Sequence, residues 1–313
     1  MQKILGQIAA EIRVQVHQVK AAVELLDGGA TVPFIARYRK EATGGLDDIQ
    51  LRELEHRLGY LRELEDRREA VLKSIGEQGK LTAALRAAID AAPTKQELED
   101  LYLPFKPRRR TKGQMAREAG IEPLADRLFA DPALNPATEA VAFVKAEKGE
   151  GGEDFTTVPA VLDGVRDILS ERWAEDPALV QSLRAWLWTE GLFKSRLASG
   201  KDENNPDVAK FRDYFDYDEP IGRVPSHRAL AVFRGRQLEI LDAKLVLPEE
   251  PEPGQPSIAE GRIALHLGWR HAGRPADDLI RKCVAWTWRV KLSMSTERDL
   301  FTRLREGAGK VAI

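Results

Sequence analysis

Apolar residues recur at helical spacing along most of the 313-residue chain. The first stripe is followed by Gly28-Gly29, a natural helix stop, and a narrow leucine stripe runs from Ile49 to about Ile75. The first stripe consists of Ile4, Leu5, Ile8, Ile12, Val16, Val19 and Val23. These patterns predict two short amphipathic helices and then one long helix. The long helix is expected to pack on its neighbours, with an isolated coiled coil as the alternative.

A pair of short helices is predicted on either side of Ala119-Gly120-Ile121. Thr94 is placed to cap the helix before a basic loop, and Thr111 to cap the helix after it. Two short helices joined by a tight turn are typical of a helix-turn-helix, but ordinary helical hairpins share the pattern. We therefore predict a helix-turn-helix-like module near 94–130 and leave open whether it contacts DNA.

The rest of the chain is again largely helical. Residues 237–247 are the best strand candidate, and the proline-rich stretch 248–256 is predicted to be a linker or an exposed loop. Two further helices should follow, separated near Ser293, with Ser295 as the cap of the second. The predicted fold class is mainly α, a multi-helix scaffold with at most a few short strands. We expect a first helical region over 1–200 and a second over 201–313.

Composition bounds the location of the protein. Cys283 is the only cysteine, which excludes an internal disulfide and favours a reducing compartment. Charged residues interrupt the apolar positions of the first segment, and no later stretch approaches ~18 uncharged apolar residues. We therefore expect a cytoplasmic protein with no membrane partner.

The residue types favour no reaction centre. The five histidines include no pair at i, i+4 spacing, and the chain has no Walker-type phosphate loop and no Gly-x-Ser-x-Gly elbow. Cys283 lies on an apolar helix face, where a thiol stays protonated. We expect no enzyme activity, no metal and no cofactor.

One acidic stretch, DYFDYDEP at 213–220, has two interpretations. Its four carboxylates could hold Mg²⁺ for nuclease chemistry. We favour a structural turn whose carboxylates pair with the arginines that follow.

Positive charge is concentrated in three clusters, although 48 basic and 50 acidic residues nearly balance overall. The first cluster is Arg37, Arg39 and Lys40, the second is Lys106, Arg108, Arg109, Arg110 and Lys112, and the third is His227, Arg228, Arg234 and Arg236. Each cluster could bind phosphates or pair with the chain's own carboxylates. We expect internal pairing for the first and third clusters, through Glu41 and the 213–220 stretch. For the second cluster the two interpretations are about even.

These clusters lie within three longer motifs: TVPFIARYRKEATGGLDDIQLREL at 31–54, ELEDLYLPFKPRRRTKGQMAREAGIEPLAD at 97–126 and DYFDYDEPIGRVPSHRALAVFRGR at 213–236. In order and spacing they resemble the N-terminal portion of the bacterial Tex family, transcription accessory proteins named for toxin expression. The resemblance implies a helical scaffold with a helix-turn-helix-like module and no catalytic activity. In the whole family protein, ribonuclease-H-like, helix-hairpin-helix and OB-fold RNA-binding domains follow, so this chain would end before them.

The resemblance and the clusters together suggest a non-catalytic scaffold that binds nucleic acid and helps to regulate transcription, including toxin expression. Its expected partners are RNA or DNA, mainly through the later domains, and RNA polymerase. The loop from Lys106 to Lys112 is the first choice for a phosphate contact. The alternative is a protein-interaction platform that docks RNA polymerase or the protein's own later domains, with no nucleic-acid contact in this region.

Overall fold

The structure is a computed structural model that describes residues 1–107 and 109–311. It contains two compact units, Met1–Lys106 and Pro107–Ile313, which we call unit 1 and unit 2. The boundary predicted between residues 200 and 201 falls inside unit 2, where it would separate one strand from the two strands that pair with it. Such pairing over long sequence distances leaves no local signal in the sequence.

Unit 1 is built from helices around one apolar core. In chain order they are α1 (Gln2–Ile12), α2 (Val16–Asp27), α3 (Val32–Tyr38), α4 (Lys40–Thr43), α5 (Asp48–Glu77), α6 (Ala83–Ala91) and α7 (Lys95–Tyr102). The leucine stripe of α5 is buried against this core, which confirms a long helix packed on its neighbours. Asp47 caps the N-terminus of α5, because its carboxylate accepts a hydrogen bond of 2.8 Å from the Gln50 amide.

Arginines of α5 also connect it to neighbouring helices. Each reaches a carboxylate on a different helix, at a nitrogen to oxygen distance between 2.5 and 2.8 Å. The pairs are Arg57 with Glu11 of α1, Arg62 with Asp27 of α2, and Arg67 with Glu99 of α7. In each of these pairs both guanidinium and carboxylate present two atoms, so the geometry is bidentate.

Unit 2 combines helices with one small antiparallel sheet. Its helices are α8 (Lys112–Glu118), α9 (Glu122–Ala130), α10 (Pro136–Ala140), α11 (Val158–Ala174), α12 (Pro177–Glu190), α13 (Pro206–Ala209), α14 (Ser226–Gln237), α15 (Ile258–Leu267), α16 (Asp277–Trp286) and α17 (Ser293–Val311). Its strands are β1 (Leu192–Leu197), β2 (Asp216–Pro220) and β3 (Leu241–Val246), in the spatial order β2-β1-β3. The mainly α fold class is confirmed. The predicted helix pair is present as α8 and α9, and DNA recognition by it stays a prediction.

The sheet corrects one local expectation and confirms another. The predicted strand is present as β3, whereas the acidic stretch expected to form a turn contributes β2. Along β2, Tyr217 is buried while Asp216 and Asp218 on either side are exposed. This alternation is typical of a half-buried strand, and pairing with β1 stabilises it despite a sequence rich in aspartate.

The last helices form a nearly continuous rod, so the predicted separation near Ser293 is wrong. Residues 287–292 adopt a π-helical turn that joins α16 directly to α17. The serine hydroxyls do not cap a new helix there. Ser293 Oγ donates to the Arg289 carbonyl oxygen at 3.3 Å, and Ser295 Oγ donates to the Leu292 carbonyl oxygen at 3.1 Å. In the described part of the chain, no helix is long and apolar enough to span a membrane.

The carboxylate of Asp277, at the start of α16, is fully buried and anchors the preceding loop through hydrogen bonds. It accepts hydrogen bonds from Trp269 Nε1 at 2.9 Å and from the backbone amides of Ala272 and Arg274, both at 2.9 Å. The Arg274 guanidinium adds two more, both at 3.0 Å. Burial alone would raise the pKa of Asp277, but these hydrogen bonds outweigh it and hold the pKa well below its ordinary value of 3.8.

We predict that Asp277→Asn lowers the free energy of unfolding by about 2–4 kcal/mol near pH 7, because two backbone amides lose a charged acceptor. A lowered pKa in the folded state means that this contribution is fully present above pH 3.8 and is lost as the pH falls towards the folded-state pKa. Urea unfolding of the wild type and of Asp277→Asn between pH 7 and pH 2.5 measures the difference between their free energies of unfolding. This difference should become smaller only below about pH 4.

Asp242→Asn, which changes an exposed carboxylate of β3, is the matched control and should leave stability unchanged. A difference between wild type and Asp277→Asn that narrows already between pH 7 and pH 5 would contradict the assigned pKa.

Candidate nucleic-acid interface

The first basic cluster lies on an exposed corner between α3 and α4. Thr31 caps α3 by accepting a hydrogen bond from the Phe34 amide at 3.4 Å. Val32 and Ile35 are buried in the core of unit 1, so helical spacing turns Phe34 and Tyr38 outward, where they are 42% and 58% exposed. Two neighbouring exposed rings form an apolar patch, which is more informative than a single exposed apolar side chain.

One arginine lies near each of these two rings. The centroids of Phe34 and Tyr38 lie 5.3 Å apart, Arg39 Cζ lies 5.9 Å from the Phe34 centroid, and Arg37 Cζ lies 6.0 Å from the Tyr38 centroid. Lys40 is exposed at the start of α4. We call Phe34, Arg37, Tyr38, Arg39 and Lys40 the α3–α4 patch. Such a patch offers both stacking faces and positive charge to an extended polyanion.

The expected pairing of this cluster with Glu41 is present but weak. Arg39 Nη1 lies 3.9 Å from Glu41 Oε1, beyond hydrogen-bond distance, and both side chains are largely exposed. Among the described residues, neither Arg37 nor Lys40 takes part in an ion pair. The cations of the α3–α4 patch therefore remain available to an external anion.

The second cluster separates into residues with different environments. Lys106 is the last residue of unit 1, and Arg109 and Lys112 lie near the start of unit 2. All three side chains are exposed. In the part of the chain that the structure covers, none of these three forms an ion pair. Arg108, the remaining candidate, lies outside the described residues.

For Arg110, internal pairing, one of the two interpretations left open for this cluster, is the one observed. Its Nε donates to Glu118 Oε2 at 2.7 Å, and its Nη2 donates to Glu153 Oε1 at 3.1 Å. The hydrogen bond from Arg110, followed by one from Gln114, lowers the pKa of Glu118. Arg110 therefore connects α8 to the loop that contains Glu153, and an external phosphate would have to compete with two carboxylates.

The backbone on either side of Lys112 is fixed to α11. Thr111 caps α8 through the Gln114 amide at 3.0 Å and donates its own hydroxyl to Glu171 Oε2 at 2.6 Å. Glu171 is buried and also accepts from Arg117 at 3.0 Å. A β-carbon at position 113 would lie 2.5 Å from Glu171 Oε2 and 3.0 Å from the Asp167 carbonyl oxygen, so α8 packs closely against α11 there. Lys112 thus lies within a segment that is held closely against α11, and Arg109 precedes this segment.

The third cluster does not form the predicted salt-bridge corner. Asp216 pairs with Arg196 of β1 at 2.7 Å, and Asp218 lies 4.0 Å from the same arginine. None of the ion pairs in residues 1–107 and 109–311 includes His227, Arg228, Arg234 or Arg236. Asp216 and Asp218 lie beside β1 because they belong to β2, which pairs with β1. A turn was expected here from the sequence, so this pairing was not predicted.

The arginines of the third cluster contact aromatic rings instead. Arg228 Cζ lies 5.4 Å from the Tyr217 centroid, and Arg236 Cζ lies 5.5 Å from the Phe301 centroid on α17. Burial raises the pKa of Tyr217 to about 12, with a further contribution from Glu219, so its hydroxyl stays neutral. Arg228 and Arg236 are nevertheless exposed to solvent.

The described residues contain no group of three or more histidine, cysteine, aspartate or glutamate side chains that could hold a metal ion. Cys283 is buried, and burial raises the pKa of its thiol to about 12, which leaves no reactive thiolate.

Sequence reasoning missed two features of these clusters. The first is the outward pair of aromatic rings, which the i, i+4 spacing of Phe34 and Tyr38 could have indicated. The second is the contact between Arg110 and Glu153, which are 43 positions apart, so no local pattern indicates it.

Comparison with known proteins gives two family matches. A model described as Tex-like protein N-terminal domain matches residues 2–76, and a model described as Tex central region-like matches residues 131–313. The chain is 54% identical over 307 residues to protein YhgF of Escherichia coli, 51% identical over 316 residues to protein tex of Bordetella pertussis, and 48% identical over 312 residues to transcriptional accessory protein Tex of Neisseria gonorrhoeae. These matches cover 98% to 99% of this chain but only 39% of each relative.

The geometry of the second cluster predicts different roles for two adjacent arginines. Arg110→Ala should lower the melting temperature by a few degrees, because Glu118 and Glu153 lose their shared cation. Arg109→Ala is the matched control and should leave the melting temperature within the error of the wild type. Thermal unfolding followed by circular dichroism measures both, and equal melting temperatures for the two variants would contradict a structural role for Arg110.

Proposed function

The chain belongs to the Tex family of transcription accessory proteins, and from this premise we propose that it is a non-catalytic helical scaffold that binds single-stranded nucleic acid. It acts in the bacterial cytoplasm and positions RNA or DNA during transcription. The chain spans 39% of the length of the relatives named above, so the other parts of such a protein would contribute further contacts.

The α3–α4 patch is the observation that carries this proposal. It combines two exposed rings 5.3 Å apart with three exposed cations, and the nearest carboxylate engages only Arg39, at 3.9 Å. Stacking on aromatic faces tolerates any base, and unpaired cations neutralise phosphates at little cost in lost internal pairs. The patch therefore matches an extended single strand better than a duplex, whose bases are already stacked.

The loop of the second cluster gives secondary support. Arg109 and Lys112 are exposed and unpaired among the described residues, so they add charge without a stacking face. They are suited to phosphate contacts that position a strand without reading its bases.

The proposal predicts separable effects of charge and stacking on nucleic-acid affinity. In the triple variant Arg37→Ala, Arg39→Ala, Lys40→Ala, affinity for a single-stranded oligonucleotide should fall by roughly tenfold or more, and the slope of log K against log salt should decrease by about 2. In Phe34→Ala, Tyr38→Ala, affinity should fall while the salt slope stays unchanged, because stacking releases no counterions. Fluorescence anisotropy between about 50 and about 200 mM salt, with RNA and DNA of one sequence, measures both quantities.

The control removes the same charge from elsewhere in unit 1. Lys3, Lys73 and Lys80 are exposed and outside any ion pair of the described residues, so their triple alanine variant should bind nearly as the wild type does. If this control weakens binding as much as the patch variant, attraction is diffuse and the patch is not a site. If the wild type binds neither RNA nor DNA at the lower salt, the alternative of a protein-interaction platform replaces the proposal.

A further inference from the structure

A groove of about 910 Å³ lies between α15, α16 and residues 251–256 of the proline-rich loop. Its walls include Ala264 and Leu265 of α15 and Val284 and Ala285 of α16. Leu265 is 81% exposed, although it lies on a well-formed helix of unit 2. A leucine this exposed at the edge of a groove provides a contact point for another apolar side chain.

The surface continues on the other side of α16. A second cavity of about 630 Å³ is lined by Trp286 and Val290 and shares Lys282, Ala285 and Arg289 with the groove. Arg289 and Val290 belong to the π-helical turn 287–292, and Val290 is 51% exposed. Turns of this kind recur at functional sites, because the wider helix turns side chains into positions that a regular α-helix does not offer.

Cations of the groove differ in whether they are already paired. Arg281 and His271 both contact Asp278, at 2.6 and 2.9 Å. Arg270 and Lys282 are exposed and take part in no ion pair of the described residues. Arg289 lies 3.7 Å from Glu260, which is beyond hydrogen-bond distance, and Glu260 is itself engaged in capping α15.

We propose that the groove between α15 and α16 is a docking site for an acidic segment of a partner protein that carries leucine or aromatic side chains. The apolar side chains of the segment contact Ala264, Leu265 and Ala285, while its carboxylates pair with Arg270, Lys282 and Arg289. The proposal is independent of nucleic-acid binding at the α3–α4 patch.

The chemistry of the groove favours a peptide over a nucleic acid. Its most exposed apolar side chain is aliphatic, so it offers no face on which a base can stack. Trp269, the aromatic side chain that lines the groove, is half-buried and has its Nε1 fixed to Asp277 at 2.9 Å. Four lysine and arginine side chains line the groove against two carboxylates, Glu252 and Glu260, so an excess of positive charge remains beside its apolar residues. Such a surface matches the apolar and acidic side chains of an amphipathic helix.

The test uses a synthetic peptide of about 15 residues, roughly 22 Å long as a helix, with leucine and tryptophan on one face and glutamate along both edges of that face. Fluorescence anisotropy with the whole chain should give saturable binding that weakens with salt. Leu265→Asp should weaken binding at least about tenfold, and Arg270→Glu, Lys282→Glu should do the same, because each removes one half of the complementarity.

Matched controls carry the same changes elsewhere in unit 2. Leu238→Asp alters another exposed leucine, which is 52% exposed at the end of α14. Lys201→Glu, Lys244→Glu reverses two exposed charges outside the groove. Both should bind the peptide within about twofold of the wild type, and circular dichroism should show that all variants are folded.

Absence of saturable binding to the wild type would overturn the proposal, and so would equal losses in the groove variants and their controls. A version of the peptide with lysine in place of glutamate should not bind, and its tight binding would also overturn the proposal. If a single-stranded oligonucleotide displaces the peptide, and if Arg270→Glu, Lys282→Glu weakens the affinity for that oligonucleotide, the groove is assigned to nucleic acid instead.

Discussion

Arginine–carboxylate pairing is the interaction that decides which cations remain available on the surface of this protein, whose helices pack around apolar cores. The chain contains 48 basic and 50 acidic residues, so nearly every cation has a possible internal partner. In unit 1, the arginines of α5 use such partners to hold α1, α2 and α7 in place. Any cation that contributes to this network is poorly available to an outside ligand. Function at the surface therefore depends on the cations that the network leaves out.

The distinction separates side chains that look equivalent in the sequence. Arg109 and Arg110 are neighbours in one basic run, yet only Arg110 has carboxylates within hydrogen-bond distance among the described residues. In α14, aromatic rings take the place of the expected aspartates, because those aspartates pair with Arg196 of β1. The number of arginines in a motif is thus a poor measure of its capacity for phosphate, whereas the position of each carboxylate is a good one.

Much of the fold could be predicted because helical periodicity and capping are local properties. The buried stripe of α5, its capping residue Asp47, and the start of α8 at Thr111 follow from residues within a few positions of each other. Strand β2 could not be predicted in this way, since its stability comes from pairing with β1, about 25 positions earlier. The sequence also could not show which candidate cations are unpaired, because a pairing carboxylate can lie far away along the chain. Glu153, which pairs with Arg110, is 43 positions from it.

The anchoring of the segment from Thr111 to Gly113 has a consequence for the kinetics and affinity of any ligand that meets it. Because Thr111 is fixed to Glu171 and Gly113 packs closely against α11, the backbone on either side of Lys112 is already ordered. A ligand that contacts Lys112 would immobilise its side chain without also ordering its backbone, which reduces the entropic cost of association. The segment is therefore preorganised, and its contacts should form on encounter, with no slow rearrangement beforehand.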